Sequence, residues 1–237
     1  MTPPLSILLP GLDGTGELFE RFVAAAAAGF PVQSVPLPSD RPRGYRELAD
    51  WVRSQLPDEP VVLIAESFSG PIAVLLAEQC PRVVGVVLCA SFVLPPLPRV
   101  LASLPKFIWS RPPPTALVRA LLTGGDRVLA EAVQRAMSRI PAEVLAARIT
   151  AALRVDVTTQ LKELSQAMLC LRATHDRVVP SACAEVIRSL KPSAELVEIH
   201  APHLLLQSCP SEAWTHIAPF LERTRYIESL VQPPNCN

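Results

Sequence analysis

The sequence predicts an α/β fold: a mostly parallel sheet with helices on both faces and a helical cap inserted between two of its strands. Two patterns carry this reading. Short β-branched or leucine-rich runs alternate with longer segments of helical period, as in a parallel sheet wound by crossover helices. That alternation then stops between Ser91 and roughly Gln166, leaving about 75 residues without a strand pattern.

The elements follow in order. LSILLP is a strand entered directly from the N-terminus. ELFERFVAAAAAGF has helical period, and Ala24 to Ala28 are read as part of that helix because Ala is the best helix former. PVQSVPL is a second strand, YRELADWVRSQL a helix, VVLIA a third strand, PIAVLLAEQC its helix and VVGVVLCA a fourth strand. The interruption opens Pro-rich as VLPPLPRVLASLPKFIWSRPPP, then reads as the helices TALVRALL, GDRVLAEAVQRAMSRI, AEVLAARITAALR and TTQLKELSQ. The strand MLCLRA, the helix ACAEVIRSLK, the strand AELVEIH and the helix SEAWTHIAPFLERT restore the alternation. The expected division is a core of residues 1–91 and 166–237 with a cap of residues 92–165.

Charge narrows the classes of partner. The 22 basic and 22 acidic side chains cancel, and the arginines are scattered, so nothing favours nucleic acid or an anionic surface. A small uncharged molecule fits better. Six cysteines could form disulfides arithmetically, but Cys89 and Cys170 fall in strand-like apolar runs, where a free Cys acts as a small hydrophobe. A reduced, cytoplasmic protein is expected. MTPPLSILLP has no basic leader pattern, and the longest uncharged stretch, Val83 to Pro98, is short and broken by Pro95, Pro96 and Pro98. No membrane span is expected.

AESFSG, between VVLIA and PIAVLLAEQC, forms a strand–turn–helix junction with two serines. A nucleophile on such a junction needs a tight turn directly after the strand, with small residues two before and two after it. Ser67 has Ala65 and Ser69 in those places, whereas Ser69 would have Pro71 and already lie in the helix. On this hexapeptide alone, nucleophile and helix cap remain equal readings for a serine. A serine nucleophile needs a base, and the chain has four histidines. His203 sits in HAPHLLLQ just after a strand, while His200 is closer to the strand end and His216 lies in a helix with Trp214. Asp176, in the turn THDRVVP after another strand, suits a carboxylate that orients a histidine; an Asp starting a turn is the plainer reading. The order Ser67, Asp176, His203, each just after a parallel strand, favours the catalytic one.

An oxyanion also needs donors. PGLDGTG follows the first strand and lacks both nucleotide-binding glycine frames, so no nucleotide cofactor is expected, and no metal. Its backbone can offer an N–H to pair with that of Phe68; Leu12 is the first candidate and Asp13 the second.

These residues resemble the α/β-hydrolase superfamily, and within it the small serine esterases and carboxylesterase-like enzymes with a helical cap. PGLDGTG looks like the family's oxyanion loop with Pro10 in place of the usual His, AESFSG like its elbow with Ala65 and Ser69 replacing glycines, THDRVVP like its acid turn and APHLLLQSCP like its histidine loop. The resemblance implies a minimal, about six-stranded α/β-hydrolase sheet. It also implies Ser67 as nucleophile, Asp176 as acid, His203 as base, the N–H groups of Leu12 and Phe68 as oxyanion hole, and no cofactor. Epoxide hydrolases and dehalogenases of this fold need a carboxylate nucleophile, which position 67 lacks. The expected activity is carboxylic-ester hydrolysis on small to medium apolar acyl esters. A thioesterase or acyltransferase with the same triad, and a non-catalytic binding protein on this fold, are the alternatives. The cap residues Phe107, Trp109 and Leu121, with Leu117 nearby, are expected to line an apolar substrate pocket, against the plainer reading that they form the cap's own core.

Overall fold

Val61, Leu63 and Ala65 alternate with Val62 and Ile64 along the run VVLIA, and all five are fully buried, so both faces of this strand are covered. The odd-numbered residues join one core cluster and the even-numbered ones another. In a computed structural model, which describes residues 3–27 and 29–231, six strands carry that pattern into one parallel sheet of order β2-β1-β3-β4-β5-β6. They are β1 (Leu5–Leu9), β2 (Val32–Ser34), β3 (Val61–Glu66), β4 (Val83–Cys89), β5 (Ala167–Ala173) and β6 (Glu195–Ile199). Every neighbouring pair is parallel.

Helices cover both faces. The described α-helices are α1 (Glu20–Ala24), α2 (Tyr45–Gln55), α3 (Gly70–Gln79), α4 (Thr115–Leu121), α5 (Arg127–Ser138), α6 (Ala142–Ala152), α7 (Thr158–Glu163), α8 (Ser181–Leu190), α9 (Leu205–Ser208) and α10 (Pro210–Val231). Leu48 and Val52 of α2, Ile72 to Ala77 of α3, Leu161 of α7 and Ile187 of α8 pack on one face. Phe22 of α1, Leu205 and Leu206 of α9, and Trp214, Ile217 and Phe220 of α10 pack on the other. The chain leaves β1 toward β2 and returns across it to β3, so strand order reverses between β1 and β3. In such sheets the crevice at the carboxyl ends of those two strands is where ligands bind.

One local expectation changes. The alanine run is mostly not helix: a 3₁₀ turn at Glu17–Phe19 leads into α1, which ends at Ala24. Tertiary context overrides propensity here, because the chain must turn back toward β2; Ala28 lies outside the described residues. The stretch without strands does run from β4 to β5, and α4, α5, α6 and α7 occupy the four segments that read as helical. Val118, Leu129, Val133, Met137, Val144 and Leu145 form a separate cluster among α4, α5 and α6, whereas Leu161 of α7 joins the core against α3.

Candidate active site

Ser67 follows β3 directly, with φ +48°, left-handed backbone that a non-glycine residue adopts only under constraint at a cost of about 1–3 kcal/mol. Its surroundings hold it there. Ser91, after β4, donates from Oγ to the Ser67 carbonyl at 2.6 Å, and Gly70 leaves room for that hydroxyl, which a Cβ at position 70 would strike. Phe68 is buried and stacks on Tyr45 at 4.9 Å. Ser69 does not cap α3: its hydroxyl donates to the Pro10 carbonyl and ties the elbow to the loop after β1.

Two side chains from other strand ends join Ser67 in one chain of hydrogen bonds. His203 Nε2 lies 2.9 Å from Ser67 Oγ, and His203 Nδ1 lies 2.7 Å from Asp176 Oδ2. Asp176 Oδ1 accepts from the backbone N–H groups of Val178 and Val179, each at 2.8 Å, which fixes the carboxylate and leaves Oδ2 for the histidine. The His203 and Asp176 side chains are each 4% exposed, so water competes little for these bonds. In this geometry Nδ1–H donates to Asp176 and Nε2 is free to accept the Ser67 proton. The other histidines stand apart: His175 and His200 form an exposed edge-to-face pair, and His216 is on α10. Asp156, a carboxylate toward the end of the insertion, faces Arg99 and Thr158 instead.

The loop after β1 passes beside the elbow: a Cβ built on Gly11 would sit 3.9 Å from Ser67 Cβ. Leu12, in this loop, packs between the main core and the cap cluster, and Phe68 follows Ser67 in the 3₁₀ turn Ser67–Ser69. One cap residue that sequence reasoning missed holds this loop. Arg148 of α6 is 1% exposed; Nη1 donates to the carbonyls of Leu12 at 2.9 Å and Asp13 at 3.0 Å, and Nη2 to Pro38 at 3.2 Å and Leu37 at 3.4 Å. Burial lowers its pKa to about 10, partly opposed by Asp13. Gly14, at φ +69°, leaves the space that the guanidinium fills. Only a planar fork serves both carbonyl pairs at once. Arg148→Met strands these acceptors and frees the loop, so we expect Tm to fall by about 5–10 °C and kcat/KM by about tenfold, read by thermal melts and steady-state kinetics.

The expected pocket residues are only partly brought to this site. Phe107 is 74% exposed and does not line an enclosed pocket; Trp109 and Leu121 are half-buried. The apolar residues meeting the loops after β1 and β6 are one register away, at Val118 of α4 and Leu122 just after it. Val118 is buried in the cap cluster with Leu204 of the histidine loop, with Leu122 and Leu12 packed against it, and Leu204 N–H donates to the Leu122 carbonyl at 3.1 Å. Leu117 points outward. Among the described residues there is no cluster of side chains suited to hold a metal, and no helix is long and apolar enough to cross a membrane.

Solved structures share this architecture. A bacterial membrane phospholipase A is 19% identical with a TM-score of 0.76, covering 94% of this chain and 80% of that one. An enol-lactonase from Burkholderia xenovorans is 17% identical with a TM-score of 0.76, covering 94% and 92%. A lipase-esterase related protein from Clostridium acetobutylicum is 16% identical with a TM-score of 0.76, covering 92% and 95%. At these identities the likeness is one of fold. No curated protein matches the chain in sequence. Residues 7–216 match the model of the alpha/beta hydrolase family, from within β1 to within α10, and the protein belongs to that family.

Proposed function

We propose that the protein is a serine carboxylic-ester hydrolase working through an acyl-enzyme. The observation that carries this reading is the continuous chain Ser67 Oγ, His203 Nε2, His203 Nδ1, Asp176 Oδ2, with both links at hydrogen-bond length in a site shielded from water. Ser67 Oγ attacks the ester carbonyl and passes its proton to Nε2. The carbonyl oxygen becomes an oxyanion held by the N–H groups of Leu12 and Phe68. Collapse expels the alcohol, which takes the proton from Nε2. Water then attacks the acyl-enzyme, gives its proton to Nε2, and the free acid leaves as that proton returns to Ser67. Asp176 fixes the tautomer throughout and stabilises the imidazolium.

Residues 92–165 act as the cap in this reading, and the partly buried Leu12 and Leu122, packed on the cluster of Val118 and Leu204, offer apolar surface suited to an acyl chain. The partner is a small-molecule ester, with neither cofactor nor metal in the chemistry. A cytoplasmic location accords with the unpaired thiols of Cys80, Cys89 and Cys170, all buried. The test is a p-nitrophenyl ester series from acetate to palmitate, with an added alcohol as competing acceptor. Turnover on the short and medium chains with free acid as main product is expected. Transfer predominantly to the alcohol would make the protein an acyltransferase, and turnover at no chain length would overturn the reading.

A further inference from the structure

The residue before Ser67 is a glutamate that the triad does not use. Glu66 ends β3, and the alternation that sends Val62 and Ile64 to the α9–α10 face sends Glu66 there too; it is 1% exposed. Its partner is Gln207 of α9, equally buried, whose Nε2 donates to Glu66 Oε2 at 3.1 Å. The other oxygen of each side chain, Glu66 Oε1 and Gln207 Oε1, is buried without a hydrogen-bond partner. Two stranded acceptors on one bonded pair have a one-proton solution. A protonated Glu66 donates from Oε1 to Gln207 Oε1 while Gln207 Nε2 donates back, closing a ring of two hydrogen bonds. An ionised Glu66 would leave both oxygens unmatched in a site where such groups are expensive.

The groups around it favour the neutral form. From the loop after β1 comes Asp13, a like charge; from β4 comes Cys89, paired in register with Glu66, its thiol pushed well up by burial and by Glu66. From α9 comes only uncharged Gln207, and His203, in the loop leading into α9, is engaged with Ser67. A Cβ on Gly11 would lie 3.7 Å from Glu66 Oε2, so the carboxyl borders the backbone that flanks the oxyanion site.

We propose that Glu66 is a positioning residue that works as a neutral carboxylic acid, its proton shared with Gln207, and that this proton keeps negative charge away from the oxyanion site beside Ser67. Burial first, and Asp13 after it, push Glu66 up to about 8, against the hydrogen bond from Gln207, so the acid is neutral at pH 7 and ionises in mild alkali. The inference rests on the serine-hydrolase reading. Ionisation would set a second anion against the developing oxyanion and open the ring.

The test compares wild type with Glu66→Gln, whose amide keeps both ring hydrogen bonds and cannot ionise. In the wild type, kcat/KM should fall roughly tenfold between about pH 8 and about pH 9.5, and in the variant this alkaline limb should be absent. The Tm comparison does not depend on turnover. The folded pKa is raised above the unfolded one, so the wild type holds a proton when folded that it loses on unfolding. Its Tm should therefore drop relative to the variant as pH rises from about 5 to about 8, and level off above. An infrared band of a protonated carboxyl in the wild type near neutral pH, lost in Glu66→Gln, completes the set. Absence of that band with parallel Tm profiles would overturn the proposal. A band and a diverging Tm with identical alkaline limbs would overturn the link to the oxyanion site. Wild type without ester turnover at any pH would instead count against the serine-hydrolase reading, leaving the band and Tm to decide the state of Glu66.

Discussion

Replacing Ser67 by alanine is expected to lower kcat toward a p-nitrophenyl ester by about 10³-fold or more, with KM little changed. The variant removes the atom proposed to form the covalent intermediate, while the fold around it loses nothing. The Ser67 carbonyl still accepts from Ser91, and alanine accepts the same positive φ at similar cost. Ser69→Ala is the matched comparison, two residues on. Its hydroxyl donates to the Pro10 carbonyl, so its loss loosens the loop after β1 without touching the proton path, and a drop of about tenfold or less is expected. An inactive Ser69→Ala beside an active Ser67→Ala would move the elbow by two residues.

Asp176→Asn is expected to lower kcat by about 10³–10⁴-fold while leaving a folded protein. The hydrogen bonds dictate why. Asp176 Oδ1 accepts two backbone N–H groups, so the asparagine carbonyl must take that place and its NH₂ must face His203. The NH₂ then donates to Nδ1, the ring proton moves to Nε2, and the nitrogen facing Ser67 becomes a donor where an acceptor is needed. Asp156→Asn should keep activity, because Asp156 serves Arg99 and Thr158 at the surface; circular dichroism and ester kinetics on both variants distinguish the two carboxylates.

The hydrogen-bonded set of Ser67, His203 and Asp176 was readable as a candidate because each residue follows the carboxyl end of a strand whose apolar alternation marks where it stops. The strand boundary at the elbow favours Ser67 over Ser69, and it is Ser67 that lies against His203. Side-chain partners across the fold were not readable. Arg148 looks like an ordinary surface residue of an apolar helix; only the approach of α6 to the loops after β1 and β2 shows it as a clamp. Glu66 looks like an ordinary strand-end residue before Ser67 until Gln207 comes back to it from 141 positions away. Which cap residues face the loops around Ser67 was not readable for a related reason. Along α4 and its C-terminal cap, Leu117 and Leu121 share one face and Val118 and Leu122 the next, and neither pair declares which meets the core. The alanine run shows the limit of intrinsic propensity, which favours helix there while the chain has to turn toward β2.

Covalent labelling by a fluorophosphonate, located by peptide mass spectrometry, tests the nucleophile most directly. One adduct on Ser67 is expected, absent in Ser67→Ala and strongly slowed in His203→Ala. Labelling that persists in Ser67→Ala, or that falls on Ser69, would contradict the assignment of Ser67 as the nucleophile.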